Sequence, residues 1–109
     1  MSVKITYPQN AELTREQLYR HTVARGDSLK TVEDGTEIII KEIVGYETEE
    51  GAKILSILDT ANHHYVSNSS IFRDELAKIV EIFGDTGITI RIRHYITTTG
   101  RMYVTCELA

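Results

Sequence analysis

Arginine and tyrosine alternate with apolar residues in two segments near the end of the chain, residues 88–96 and 101–108. Successive side chains of a strand point to opposite faces, so the two segments predict a two-stranded ribbon with a polar side. That side would carry Arg91, Arg93, Tyr95, Arg101 and Tyr103. Guanidinium groups bind phosphate and tyrosine rings stack on bases, which suits a single-stranded nucleic acid. An ordinary solvated sheet face is the alternative, because tyrosine also favours half-exposed strands.

Residue patterns for catalysis or metal binding are sparse. The sequence has no G-x-S-x-G elbow, phosphate-binding glycine loop or C-x-x-C pair. His63 and His64 are adjacent, so on a strand they face opposite sides and cannot chelate one ion together. The fold could still bring one of these histidines together with Asp59, His21, His94 or Cys106 to form a metal site. The spacing of these residues in the sequence does not match that of metal ligands. The sequence therefore predicts a non-catalytic protein without metal or cofactor.

The charge of the chain is acidic overall but unevenly distributed. The 109 residues carry a net charge of −4, which gives no general attraction to nucleic acid or to anionic membranes. Residues 33–50 hold seven acids against Lys41, whereas residues 88–106 hold three arginines and no acid. The pattern indicates a local positive strip on an acidic body.

Length and hydropathy indicate one soluble domain. With 41% hydrophobic and 26% charged residues, the chain can bury one core without disulfide staples. The single cysteine, Cys106, lies on the apolar phase of its strand and is predicted to be a small core residue. The longest apolar run, Ile38 to Ile40, is far too short to span a membrane, and no secretion signal opens the chain. We expect a cytoplasmic protein, in the host cytoplasm if it is encoded by a phage.

Local signals place two helices and five strands. Thr14 and Gln17 have capping-box spacing at the start of a first helix, and Gly26 is predicted to end it. A β-branched strand from about residue 36 to Tyr46 contains Gly45, where we expect a bulge or a bend. Strands at 53–58 and 63–67 follow it. A second helix is predicted from apolar residues at helical spacing, Phe72, Leu76, Ile79 and Phe83, and the ribbon comes last.

The element order α-β-β-β-α-β-β predicts a mainly β protein with an OB-like fold. In such a five-stranded Greek-key barrel, the helix lies between strands three and four. An open α+β sheet with the same element order is the alternative. We expect residues 1–27 to form an N-terminal arm and helix, and residues 28–109 to form the barrel domain.

An OB-fold binds its ligand across strands two and three, between two flanking loops. On this chain that groove maps to Tyr46, Lys53, His64 and Tyr65, with His63 beside them. Arg101, in the last loop, would complete it, with Tyr95 and Tyr103 at the base of that loop.

Three segments resemble the single-stranded DNA-binding proteins of phages of Gram-positive bacteria, including phages that replicate by protein priming. The segments are VEDGTEIIIKEIVGY, ILSILDTANHHYVSNSSIFRDELAKIVEIFG and ITTTGRMYVTCEL, within residues 28–108. The matching positions are Tyr46, Tyr65, Asn68, Ser69, Phe72, Gly100, Arg101 and Tyr103. Phe72 and Ser69 match as a core residue and a helix cap. Thr97 to Thr99 replace a basic, serine-containing turn that is common in that family.

The resemblance implies an OB-like fold and sequence-independent binding of single-stranded DNA during phage replication, with replication proteins as further partners. The alternative function is a protein-interaction module of phage origin on an OB-like or open α+β fold. Its surface would be the acidic stretch 33–50 and the first helix. No membrane partner is expected.

Overall fold

The strands form one curled, open sheet with two helices packed against it. The computed structural model describes residues 3–8 and 12–109. Its elements are β1 (Val3–Tyr7), α1 (Arg15–Thr22), β2 (Asp27–Ser28), β3 (Glu37–Thr48), β4 (Lys53–Asp59), β5 (His64–Ser67), α2 (Ser70–Phe83), β6 (Thr89–Ile96) and β7 (Met102–Leu108). Within the described residues the sheet has seven strands in the order β2-β5-β4-β3-β6-β7, and β1 also pairs with β3.

The long strand β3 joins the two halves of the sheet. Its first residues pair with β6, and from Ile40 onward it pairs with β4. On the β4 side the register shifts between Ile40 and Glu42, at Lys41. On the β1 side it shifts between Ile5 and Tyr7, whose β3 partners are Tyr46 and Gly45, so the irregularity expected at Gly45 is found in that pairing. Gly45 also leaves room for β1, since a Cβ there would lie 3.2 Å from the Cβ of Tyr7.

The main core lies between the concave face of the sheet and α2. It is built from Leu29, which follows β2, from strand residues and from two helix residues: Leu29, Ile38, Ile40, Ile43, Leu55, Ile57, Phe72, Leu76, Ile90, Ile92, Val104 and Cys106. Ser69 caps α2, as the resemblance implied, by accepting from the Phe72 amide at 3.2 Å, and Gly84 follows the last turn of the helix. Of the predicted apolar stripe of α2, Phe83 is exposed, at the last position of the helix.

The sheet does not close into the expected five-stranded barrel. In a closed barrel β7 would pair with β5, but Asp27 and Ser28 of β2 pair with β5 along the edge away from β4. The two sides are linked there by a side chain, because the Ser69 hydroxyl donates to the Val104 carbonyl at 3.2 Å. The architecture is therefore mainly β and half-barrel-like, with β1 and β2 added to the predicted strands.

Helix α1 lies on the outer face of β4. The predicted capping box is present, because the Gln17 amide donates to Thr14 Oγ1 at 3.1 Å and the Thr14 amide donates to Gln17 Oε1 at 2.9 Å. The helix ends at Thr22, earlier than predicted, and Gly26 has another role. A Cβ at Gly26 would lie 2.8 Å from His64 Nδ1, so glycine lets the chain pass against that ring. Among the described residues, no helix is long and apolar enough to cross a membrane.

Candidate nucleic-acid interface

The tip of the β6–β7 hairpin presents a stacked pair of tyrosines. Tyr95 pairs with Tyr103 across the ladder, and their ring centroids lie 5.4 Å apart with an angle of 24° between the planes. Tyr95 is 45% exposed and Tyr103 is half-buried, so solvent reaches the pair from one side. Aromatic faces presented in this way are stacking platforms for bases.

The loop that closes the hairpin is ordered by its own hydrogen bonds. The Thr97 amide donates to the Arg101 carbonyl at 2.8 Å, and the Arg101 amide donates to Thr97 Oγ1 at 3.1 Å. Gly100 has φ of +83°, a left-handed conformation that glycine adopts without strain. The hydroxyls of Thr97 and Thr99 lie 3.0 Å apart and contribute to the loop's shape, and Thr97 to Thr99 add no charge.

Two of the predicted phosphate-binding arginines are held by acids. Arg91 donates to Glu37 at 2.9 Å, and this hydrogen bond raises the pKa of its guanidinium. Arg93 lies 3.5 Å from Glu107 and 3.7 Å from Asp34. Both arginines share a face with the tyrosine pair, as the alternation predicted. Their neighbouring carboxylates nevertheless offset most of the positive potential that a phosphate would meet.

Arg101 has a different environment. It is exposed at the loop, and within the described part of the chain its guanidinium makes no ion pair. Residues 95–106 contain no acid, so nothing in the hairpin tip itself neutralises it. Arg101 therefore supplies an available cation beside the tyrosine pair.

The residues predicted to line a groove across the second and third barrel strands do not form one open surface. Tyr46 is only 8% exposed, which leaves no ring face for a base, and burial raises the pKa of its hydroxyl. Tyr65 is half-buried and packs against the main core. His64 is held in a hydrogen-bond chain with Ser56 beneath α1. Helix α1 thus occupies the outer face of the strands on which the ligand of an OB-fold would lie.

Lys53 lies at a separate groove between α2 and strands β1, β3 and β4. This groove has a volume of about 550 Å³ and mainly apolar walls. Lys53 faces Glu47 across the β3–β4 ladder, and the groove lining also includes Arg73 and Glu81. Because its cations and acids balance, this groove shows no preference for phosphate.

The structure shows apolar and polar features that the sequence analysis missed. Ile96, 76% exposed, and Met102 flank the loop on the hairpin face opposite the tyrosines. Under α1, the side chains of His21 and Ser56 are fully buried and hydrogen-bonded to each other. The sequence did contain a signal that His21 faces the sheet. It lies four residues after Gln17, which places both side chains on one face of the helix.

Cys106 is a buried titratable group outside these sites. Burial, reinforced by the charge of Glu75, raises the pKa of Cys106 to about 12, so its thiol stays protonated. In residues 3–8 and 12–109, no group of three or more histidine, cysteine, aspartate or glutamate side chains is arranged to hold a metal ion.

Comparisons of the chain with protein-family models, with curated proteins and with solved structures give no match.

Proposed function

We propose that the protein binds single-stranded DNA without sequence preference, through the tip of its β6–β7 hairpin. The observation that carries the proposal is the solvent-accessible, stacked pair of Tyr95 and Tyr103, with Arg101 beside it making no ion pair among the described residues. Each stacked base contributes roughly 1–3 kcal/mol, and every base has a face that can stack, so recognition does not depend on sequence. The resemblance to phage single-stranded DNA-binding proteins supports a non-catalytic role in phage DNA replication.

The site differs from the groove expected for an OB-fold. Tyr46, Lys53, His64 and Tyr65 are buried, balanced by acids or held in other contacts, and the proposal does not use them. The interface is therefore small, centred on two rings and one guanidinium. Such a surface contacts few nucleotides, and its affinity depends mainly on stacking.

Binding should prefer single strands and depend weakly on salt. A fluorescence anisotropy titration with oligo-dT and with duplex DNA of equal length measures both properties. One to two phosphate contacts predict a slope of about −1 in log K against log salt, from roughly −0.7 per phosphate for single strands. Equal affinity for the duplex, or a slope several times steeper, would contradict the hairpin site.

Arg101→Ala and Arg91→Ala form a matched pair, since both remove a guanidinium from the same hairpin. Arg101→Ala should weaken binding and make the salt slope shallower by about 0.7, because it removes an available charge contact. Arg91→Ala should leave binding nearly unchanged, because Glu37 already holds that guanidinium. The reverse order of effects, in the same anisotropy titrations, would place the phosphate contacts lower on the ribbon.

Docking on another protein is a second candidate function. The observation that favours it is the exposed outer side of α1, where Leu18, Tyr19 and Val23 are all solvent-accessible. A Tyr19→Ala variant that binds oligo-dT normally and loses a replication-protein partner in a pull-down would support this function.

A further inference from the structure

A continuous chain of hydrogen bonds joins α1 to three strands beneath it. His21 Nε2 lies 2.5 Å from Glu42 Oε1, and His21 Nδ1 lies 2.6 Å from Ser56 Oγ. Ser56 Oγ in turn lies 2.6 Å from His64 Nε2. His21 and Ser56 are fully buried, and the ring centroids of the two histidines are 5.9 Å apart.

The number of protons on its side chains limits the charge that this hydrogen-bond chain can carry. Ser56 has one hydroxyl proton and contacts a ring nitrogen on each side, so it can donate to one imidazole and must accept from the other. If His21 is an imidazolium, it donates to Glu42 and to Ser56, and Ser56 donates to His64. If both imidazoles are neutral, the Ser56 proton goes to His21 and His64 donates to Ser56. Every contact is satisfied in both arrangements.

A second imidazolium breaks the chain. Both rings would then donate toward Ser56, whose own proton would have no acceptor among them, and two cations would face each other at 5.9 Å. One carboxylate, Glu42, is within hydrogen-bond distance to balance them, and Gln17 also donates to it at 3.2 Å. The chain accommodates one positive charge and not two.

The net effect of the groups around the hydrogen-bond chain is to lower the pKa of His64. The titratable and charged groups that face the chain are His21 on α1, Asp27 on β2, Glu42 and Lys41 on β3, and His64 on β5. Burial lowers the pKa of His64, and the charge of His21 lowers it further, against a smaller opposing effect of the Ala24 and Arg25 backbone and Asp27. Burial alone would raise the pKa of Glu42, but the hydrogen bonds from His21 and Gln17 lower it.

We propose that α1 is a pH-sensitive lid, which the chain from Glu42 through His21 and Ser56 to His64 holds on the outer face of the sheet and which a second imidazolium releases. Without α1, His64 would be exposed to water and would titrate at the ordinary histidine value of about 6.5. The undocked form therefore binds more protons than the docked form below that pH. Docking is stable above about pH 6.5 and weakens as the pH falls.

Release would uncover a sheet face that is now closed. Val44, Tyr46 and Leu58 are buried outside the main core, on the same face as Glu42 and Ser56. An eight-residue helix such as α1 is not stable alone in water, so its amides lose protection once it undocks. This inference stands whether or not the hairpin binds DNA.

Hydrogen exchange of the intact protein, from about pH 7.5 to about pH 5, tests the lid. The quantity measured is the protection factor of the amides of residues 18–23. These factors correct for the intrinsic pH dependence of exchange. Uptake of one proton predicts a loss of about tenfold per pH unit below about pH 6.5, while the amides of β4 and β6 keep their protection. Unchanged protection of α1 over this range would overturn the proposal.

Three variants separate the lid from general acid sensitivity. His64→Gln keeps a polar group beside Ser56 but cannot titrate, so α1 should stay protected at about pH 5. His63→Gln is the control. The imidazole of His63, next to His64 in the sequence, is exposed and faces away from the hydrogen-bond chain, so release of α1 should follow the wild type. Glu42→Gln removes the balancing anion and should shift release to higher pH. If His64→Gln releases α1 in parallel with the wild type, the switch is not in this chain.

Imidazole chemical shifts of the wild type give a second test, which does not depend on how the variants fold. While α1 is protected, His21 and His64 should never both be imidazolium. If both rings titrate fully with α1 still protected, the lid is overturned.

Discussion

Replacing Phe72 by alanine should lower the free energy of unfolding by about 3–5 kcal/mol, the usual loss for a large aromatic side chain in a core. Phe72 is 0% exposed and lies one turn from Leu76, on the face of α2 that packs against β7 and the concave side of the sheet. Alanine would leave a cavity that the surrounding strands cannot fill, because their hydrogen-bonded ladders fix their positions. Urea denaturation followed by circular dichroism measures the loss.

Phe83→Ala is the matched control, on the same helix and with the same change of side chain. Phe83 is 53% exposed at the last position of α2, so its loss should change the free energy of unfolding by much less. Equal destabilisation by the two variants would mean that the core does not depend on the Phe72 position. An unchanged midpoint for Phe72→Ala together with lost DNA binding would place that ring on the surface.

Removing either tyrosine of the hairpin pair should weaken oligo-dT binding by about 5- to 150-fold, which corresponds to a loss of roughly 1–3 kcal/mol of stacking. The fold should be retained, because Tyr95 and Tyr103 lie outside the main core. The two rings support each other at 5.4 Å, so the double variant should lose less than the sum of the single losses. Anisotropy titrations of Tyr95→Ala, Tyr103→Ala and the double variant measure this coupling.

Tyr19→Ala controls for the general loss of an exposed tyrosine, since Tyr19 lies on α1 and not on the hairpin. Its affinity for oligo-dT should equal that of the wild type. Strictly additive losses for the hairpin variants would mean that the rings contact DNA independently. Normal binding by both single variants would remove the hairpin from consideration and leave protein docking as the better proposal.

The pattern of the sequence was sufficient to locate the helices and to orient the ribbon. Thr14 was identified as a cap from residue type and spacing, and Ser69 from the resemblance, and both accept the expected backbone hydrogen bonds. Alternation placed Arg91, Tyr95 and Tyr103 on one face, and the ladder has them there. These properties depend on residues a few positions apart, whose geometry local backbone preferences and side-chain period determine.

Local sequence patterns could not predict that the sheet stays open. The pairing of Asp27 and Ser28 with β5 depends on two residues that have no strand pattern of their own. Their position follows from the path of the chain after α1, where Gly26 passes against His64. Because that path is a tertiary property, the five-stranded barrel expected from element order was wrong in strand number and closure.

Tertiary contacts also determine which charged and aromatic residues are accessible to a ligand. The alternation of residues in 88–108 was enough to assign Arg91 and Arg101 to one basic, tyrosine-bearing hairpin. Only the fold brings Glu37, 54 positions away in the chain, to Arg91, whereas Arg101 makes no ion pair within the part of the chain that the structure describes. The fold also buries Tyr46 on the closed face, since the position of a helix over a sheet depends on contacts between distant segments that no local pattern encodes.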